Sequence, residues 1–127
     1  MKLLLDTHAL VWWDAEPEKL STAVIGLLQD PSTLVYLSVI NVWEIVIKNQ
    51  IGKLSTPRTP TQIVERQSAN GIIILPVTLE HVVVLEHLPP IHKDPFDRLL
   101  ICQAIAENAS ILSADRVFDQ YPVRVVW

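Results

Sequence analysis

Apolar residues in this chain gather in five short runs, Leu3–Leu5, Leu34–Leu37, Ile72–Leu75, Ser110–Leu112 and Val123–Val126. Runs this brief and continuous predict strands buried on both faces, the pattern of a parallel sheet covered by helices. Between them apolar positions return at helical spacing, as at Val42, Ile45 and Val46, and again at Leu99, Leu100, Ala104 and Ile105. Strands alternating with helices predict an α/β fold, a three-layer α/β/α arrangement around a mainly parallel central sheet. Thr56-Pro57-Arg58-Thr59-Pro60 and Leu88-Pro89-Pro90 read as loops, because proline lacks the backbone donor that both regular structures need. Neither reads as a linker, so one domain over residues 1–127 is expected.

Composition narrows the classes. With 50% apolar residues the chain can build a core, which excludes disorder. No apolar stretch approaches the roughly 18 residues of a bilayer-spanning helix, so no membrane association is expected. The start, Met1 to Leu5, resembles a signal peptide only until Asp6 interrupts it, and export is not expected. Cys102 stands alone, which rules out an internal disulfide and a Cys/His zinc cluster, fits a cytoplasmic location, and reads as an inert helix residue. The net charge of −4 argues against a broad basic face for nucleic acid, but not against a nuclease whose acidic site is neutralised by metal. With three glycines there is no GxGxxG or GxxxxGK loop, and neither GxSxG nor HExxH occurs.

The carboxylates carry the chemistry. In open parallel sheets ligands bind beyond the carboxyl ends of the strands. Asp6 follows the first predicted strand directly, and Asp115 comes three residues after Leu112. Glu44 lies about two turns into the helix after the second strand, whose N-terminal half stays near the same crevice, and Asp94 and Asp97 open another helix. All five can converge there. Two such charges 4 Å apart repel by roughly 4 kcal/mol at an effective dielectric of about 20. A hard divalent ion, Mg²⁺ or Mn²⁺, removes that cost, and the reaction implied is phosphodiester hydrolysis by a metal-activated water.

Plainer roles stand beside these. Asp94 before Pro95 has the form of an N-cap, Asp97 of a first-turn acid, and Asp115 of a first-turn acid behind a Ser113 cap. Glu44 and Lys48 have the i,i+4 spacing of a solvated pair. For Asp6 the plain role is weakest, since a carboxylate directly after a buried strand needs a partner. Thr7, Ser38, Asn41 and Ser113 read either as caps or as supports for the acids and their water. His8 and His92 flank the site and stay outside the catalytic set. Trp12, Trp13, Trp43 and Trp127 read as core or interface residues, with base stacking the lesser alternative. Lys48, Lys53, Arg58 and Arg66, opposed only by Glu65, form with Arg98 and Arg116 a candidate phosphate track or a solvated surface. Arg98 also has the spacing to pair with Asp94.

Four blocks, Leu3-Leu-Leu-Asp-Thr-His-Ala-Leu10, Ser38-Val-Ile-Asn-Val-Trp-Glu-Ile45 with Lys48, Asp94-Pro-Phe-Asp-Arg-Leu-Leu100 and Leu112-Ser-Ala-Asp-Arg-Val-Phe118, resemble in order the acidic blocks of PIN-domain ribonucleases. The closest similarity is to VapC-like toxins of type II toxin–antitoxin modules. The resemblance implies a Mg²⁺- or Mn²⁺-dependent endoribonuclease whose acidic quartet falls on Asp6, Glu44, Asp97 and Asp115, with Asp94 assisting or replacing Asp97. It further implies an RNA substrate, a homodimer and a cognate antitoxin that masks the cleft. Rival readings are a structure-specific DNA nuclease of the same fold and a non-catalytic module that kept the fold. A receiver-like signalling domain is disfavoured, since no lysine follows Lys93.

Overall fold

The computed structural model describes residues 1–127. In chain order the elements are β1 (Lys2–Leu5), α1 (Thr7–Ala15), α2 (Thr22–Gln29), β2 (Leu34–Ser38), α3 (Val39–Gln50), α4 (Pro60–Ala69), β3 (Ile73–Leu75), α5 (Leu79–Val83), α6 (Pro95–Glu107), β4 (Ser110–Leu112) and β5 (Val125–Val126). The strands pair in the order β3-β2-β1-β4-β5, and every pairing is parallel. Each apolar run therefore supplies a strand, with two trimmed at their starts. The Ile72 amide bonds the Gln67 carbonyl at the end of α4, and the Val123 amide bonds Tyr121 in a turn, so neither joins the ladder.

Alternate residues of each strand enter opposite halves of the core, as the pleat requires. Leu4, Tyr36, Leu75, Ile111 and Val125 face one half with α6, whereas Leu5, Val35, Leu37, Leu112 and Val126 face the other with α1, α2 and α4. Helix α3 contributes to both, through Ile40 and Ile45. Burying one leucine fully stabilises by about 1.5–3 kcal/mol, and Leu3, Leu4 and Leu5 of the central strand are all fully buried. The result is a three-layer α/β/α fold. No helix is long and apolar enough to cross a membrane.

The chain leaves β1 for β2 and β3 on one side and returns through β4 and β5 on the other. Such a reversal opens a crevice beyond the carboxyl ends of the strands, and Asp6 sits at its centre.

Candidate active site

The local structure of each acid follows from the helix start beside it. Asp6 ends β1 and caps α1, its Oδ1 accepting from the Ala9 amide at 2.7 Å. Its Oδ2 accepts from the Ser113 hydroxyl, and its own amide bonds the Leu112 carbonyl at 3.1 Å. Both carboxylate oxygens are thus held, which is how an acid of 6% exposure is tolerated. Burial pushes its pKa above the usual carboxylate value, and the Glu44 charge adds to the rise. The hydrogen bonds from Ser113 and Ala9 and the charge of His8 work against it.

Ser38 ends β2 and caps α3, where Asn41 reciprocates by accepting from the Ser38 amide at 2.8 Å. The fully buried Asn41 amide group then donates to the Leu5 carbonyl (3.1 Å) and to Thr7 Oγ1 (3.2 Å). Thr7 in turn donates to Glu44 Oε1 at 2.5 Å, and the other Glu44 oxygen accepts from the Lys48 ammonium. Three small polar residues from two strand ends therefore fix one carboxylate that is 4% exposed. The Glu44–Lys48 pair exists at the expected spacing, yet its acid is buried rather than solvated.

Asp94 is the N-cap of α6, with Pro95 next and its Oδ1 accepting from the Asp97 amide at 3.0 Å. Asp97 points back to His92, whose Nε2 lies 3.2 Å from Oδ2 and whose Nδ1 lies 2.6 Å from the Tyr121 hydroxyl. The pKa of Asp97 is pushed up to about 6, first by burial and then by the negative charges of Asp94 and Glu44, while His92 opposes the rise. Burial also opposes the charged form of Lys48, but the hydrogen bond and charge of Glu44, and then Asp94 and Asp97, hold its pKa above the ordinary value. Glu44, Lys48, Asp94 and Asp97 thus share one electrostatic environment, and Asp6 adjoins it through Glu44.

Asp115 lies at the edge of this group. It is exposed and caps the 3-10 turn Arg116–Gln120 through Val117, and it reaches Asp6 indirectly, its amide donating to Ser113 Oγ at 3.0 Å. A cavity of about 300 Å³ joins the two acids, lined by Asp6, His8, Trp12, Ala114 and Asp115. A second, of about 290 Å³, lies beyond His8 and is lined by Thr7, Glu44, Lys48, Lys53 and Leu54 among others. The cavity at the opposite end of the sheet, around Met1, Lys2 and Ser110, has no carboxylate side chain in its wall.

Carboxylate oxygens without thiolates suit a hard divalent ion such as Mg²⁺ or Mn²⁺. In donor chemistry the residues fit one. Full convergence of the five acids is not what the fold delivers, however: no three of these side chains stand close enough around one point to hold an ion between them. Both oxygens of Asp6 and of Glu44, and one of Asp97, already have partners in Ser113, Ala9, Thr7, Lys48 and His92.

The basic residues are dispersed. Lys48 and Lys53 line the cavity beside Glu44, whereas Arg58 donates to the buried Asp14 at 3.2 Å, with Arg66 at 3.6 Å and Gln67 at 2.9 Å from the same carboxylate. Arg98 does not pair with Asp94; its guanidinium donates to the Pro89 carbonyl (2.9 Å) and the Tyr121 hydroxyl (3.2 Å). Arg116 pairs with Asp119 at 2.8 Å on the surface. Asp14 escaped sequence reading because nothing in its neighbourhood marks it as buried. The tryptophans divide: Trp12 and Trp13 are half-buried and pack against the core, whereas Trp43 and Trp127 are about half exposed, at 48% and 46%, Trp43 lying edge-on to Phe96 and Trp127 against Trp12. Cys102 is fully buried, and burial pushes its thiol pKa up, consistent with an inert side chain.

The raised pKa of Asp97 makes a stability prediction. The folded chain holds this proton more tightly than the unfolded one, so the associated stability is present below 3.8 and is lost as pH rises through about 6. In excess chelator, Asp97→Asn is expected to melt above the parent at about pH 8 and to show no such advantage at about pH 4. Equal melting temperatures at the higher pH refute the raised pKa.

Comparison with known proteins completes the description. A family model described as PIN domain matches residues 3–123. No curated protein matches the chain. Among solved structures the chain is similar to VapBC2 from Rickettsia felis bound to a DNA fragment from its promoter, at a TM-score of 0.73 and 17% identity over 99% of this chain and 98% of that one. It is similar also to VapBC-1 from nontypeable Haemophilus influenzae (TM-score 0.62, 16% identity, 99% and 97% covered). FitAcB from Neisseria gonorrhoeae gives a TM-score of 0.64 at 21% identity, with 98% and 96% covered. At such identities the likeness is one of fold.

Proposed function

Because the chain belongs to the PIN domain family, whose members are generally nucleases, we propose that it is a metal-dependent endoribonuclease and the toxin of a toxin–antitoxin pair. The observation that carries this reading is that Asp6, Glu44, Asp94 and Asp97 lie at the carboxyl ends of the strands near enough to act on one another's charge, although no three surround one point. There the pKa of Asp97 reaches about 6, through burial first and neighbouring negative charge second.

The four acids proposed to hold the metal are Asp6, Glu44, Asp97 and Asp115, with Asp94 alongside. A bound Mg²⁺ or Mn²⁺ supplies a water of lowered pKa and positive charge for the phosphate oxygens. Asn41 and Thr7 orient Glu44, the Ser113 hydroxyl orients Asp6, and His92 holds the Asp97 carboxylate at Oδ2. Ser38 secures Asn41 and closes its own network on Gln103. Lys48 and Lys53 are the side chains best placed for backbone phosphates, while Arg58, Arg98 and Arg116 must first leave their present partners. The similarity of fold to proteins crystallised as VapBC and FitAcB complexes supports an antitoxin as partner. We also place this chain in the cytoplasm as a homodimer.

Purified protein incubated with end-labelled single-stranded RNA and DNA of one sequence tests the reading. Cleavage of RNA is expected to stop in excess EDTA, to return with Mg²⁺ or Mn²⁺, and to leave DNA intact. Equal cutting of DNA establishes the rival nuclease, undiminished cutting in EDTA removes the metal from the chemistry, and no cutting together with no heat of metal binding leaves an interaction module.

A further inference from the structure

Glu44 has two oxygens with different kinds of partner. Oε1 is held by Thr7, itself fixed by the buried Asn41, so that side is set by the fold. Oε2 is held by the Lys48 ammonium, at the end of a flexible four-carbon stem whose side chain is 29% exposed against 5% for the Glu44 side chain. Solvent-exposed i,i+4 pairs contribute little, but here one partner is buried and needs its counter-charge. No other lysine or arginine forms an ion pair with Asp6, Glu44, Asp94 or Asp97: Arg98 turns to Pro89 and Tyr121, and Arg58 and Arg66 to Asp14. Lys48 is therefore the one lysine or arginine paired within the acidic group, where the only other basic partner is the His92 imidazole at Asp97. Lys48 also lines, with Thr7, His8, Glu44 and Lys53, the cavity of about 290 Å³, which gives the ammonium somewhere to go.

We propose that Lys48 is the built-in counter-ion of the acidic group and controls metal loading: Glu44 becomes available to a divalent cation only when the Lys48 ammonium withdraws from Oε2 into the adjoining cavity. The proposal rests on the metal-dependent reading above. Two cations cannot share one carboxylate oxygen without strong mutual repulsion, so occupancy by one excludes the other. Free protein thereby keeps its buried carboxylate paired, and loading exchanges one cation for another rather than filling a bare cluster of negative charge.

Two measurements on the full chain test this without recourse to activity. In calorimetric titration with Mn²⁺, Lys48→Met is expected to bind about tenfold more tightly than the parent, since a competing unit charge is gone, while Lys48→Arg keeps close to the parent affinity. Lys48→Gln serves as a second uncharged variant should the methionine form fail to fold. In the parent itself, the ¹⁵N NMR signal of the Lys48 ammonium hydrogen-bonded to Glu44 is expected to disappear on saturation with Mg²⁺, which a merely structural ion pair does not do. If the parent binds the ions while that signal persists, or if both uncharged variants bind no more tightly, the exchange is wrong and the metal reading stands. If neither parent nor variants bind Mn²⁺ or Mg²⁺, the metal reading itself fails and the exchange with it.

Discussion

Asp6→Asn is expected to lower RNA cleavage by on the order of 10³-fold, about 4 kcal/mol of transition-state stabilisation, with the fold unchanged. The separation of these effects follows from what each oxygen does. Asparagine keeps an acceptor for the Ala9 amide, and asparagine and aspartate are near equals as helix caps. Its new amide donor meets the Ser113 hydroxyl, which can turn to accept because hydroxyls serve both ways. Only the charge is lost, at a buried position where the charge is disfavoured by burial to begin with. Circular dichroism and melting should therefore match or exceed the parent while cleavage collapses. Asp30→Asn is the control: this exposed acid bonds only Ser32, and its loss should leave cleavage unchanged. Parent-like cutting by Asp6→Asn sinks the proposed chemistry.

The largest effect on stability is expected at Phe118, which is 1% exposed and packs with Leu100, Ile101, Ile111 and Tyr121 under the 3-10 turn that Asp115 caps. Truncating a fully buried phenylalanine to alanine costs about 3–5 kcal/mol, because transfer energy is lost and the space left collapses only in part. Phe118→Ala should thus lower the melting temperature by on the order of 10 °C or more, the loss expected for a domain of this size. Val117, next in the chain and only partly buried, gives the comparison, with a fall of roughly 1 kcal/mol or less on truncation. Denaturant midpoints at constant slope measure both. Equal losses at the two positions would mean that this turn is not anchored by the core. The same anchor bears on the site, since it holds the turn that presents Asp115.

Much of the fold was legible because burial on both faces leaves a plain mark. Leu3, Leu4 and Leu5 can all be apolar only where each face of the strand meets a helix layer, and the same logic located β2 and β4. The starts of β3 and β5 were not legible, since they depend on where the Ile72 and Val123 amides find acceptors, in a helix end and a turn. Asp94 before Pro95 displayed its capping role openly. By contrast, the exposure of Trp43 and the burial of Asp14 depend on which side of a helix meets the sheet, and a single residue does not announce this.

The acids divide along the same line. Their order, their positions after strands and their identity as oxygen donors come from the linear chain, because strand ends and helix starts are local features. The pairing of Glu44 with Lys48 was legible in their spacing, but that Glu44 is buried and gripped by Thr7, that His92 stands against Asp97, and that Asp115 keeps to the edge behind Ser113 were decided only by folding. Those contacts join residues up to 107 positions apart, as with Ser113 and Asp6. The physical reason is that local propensity acts over a few residues, whereas electrostatic and hydrogen-bond partners are assigned by the packing of layers, which brings distant strand ends to one edge.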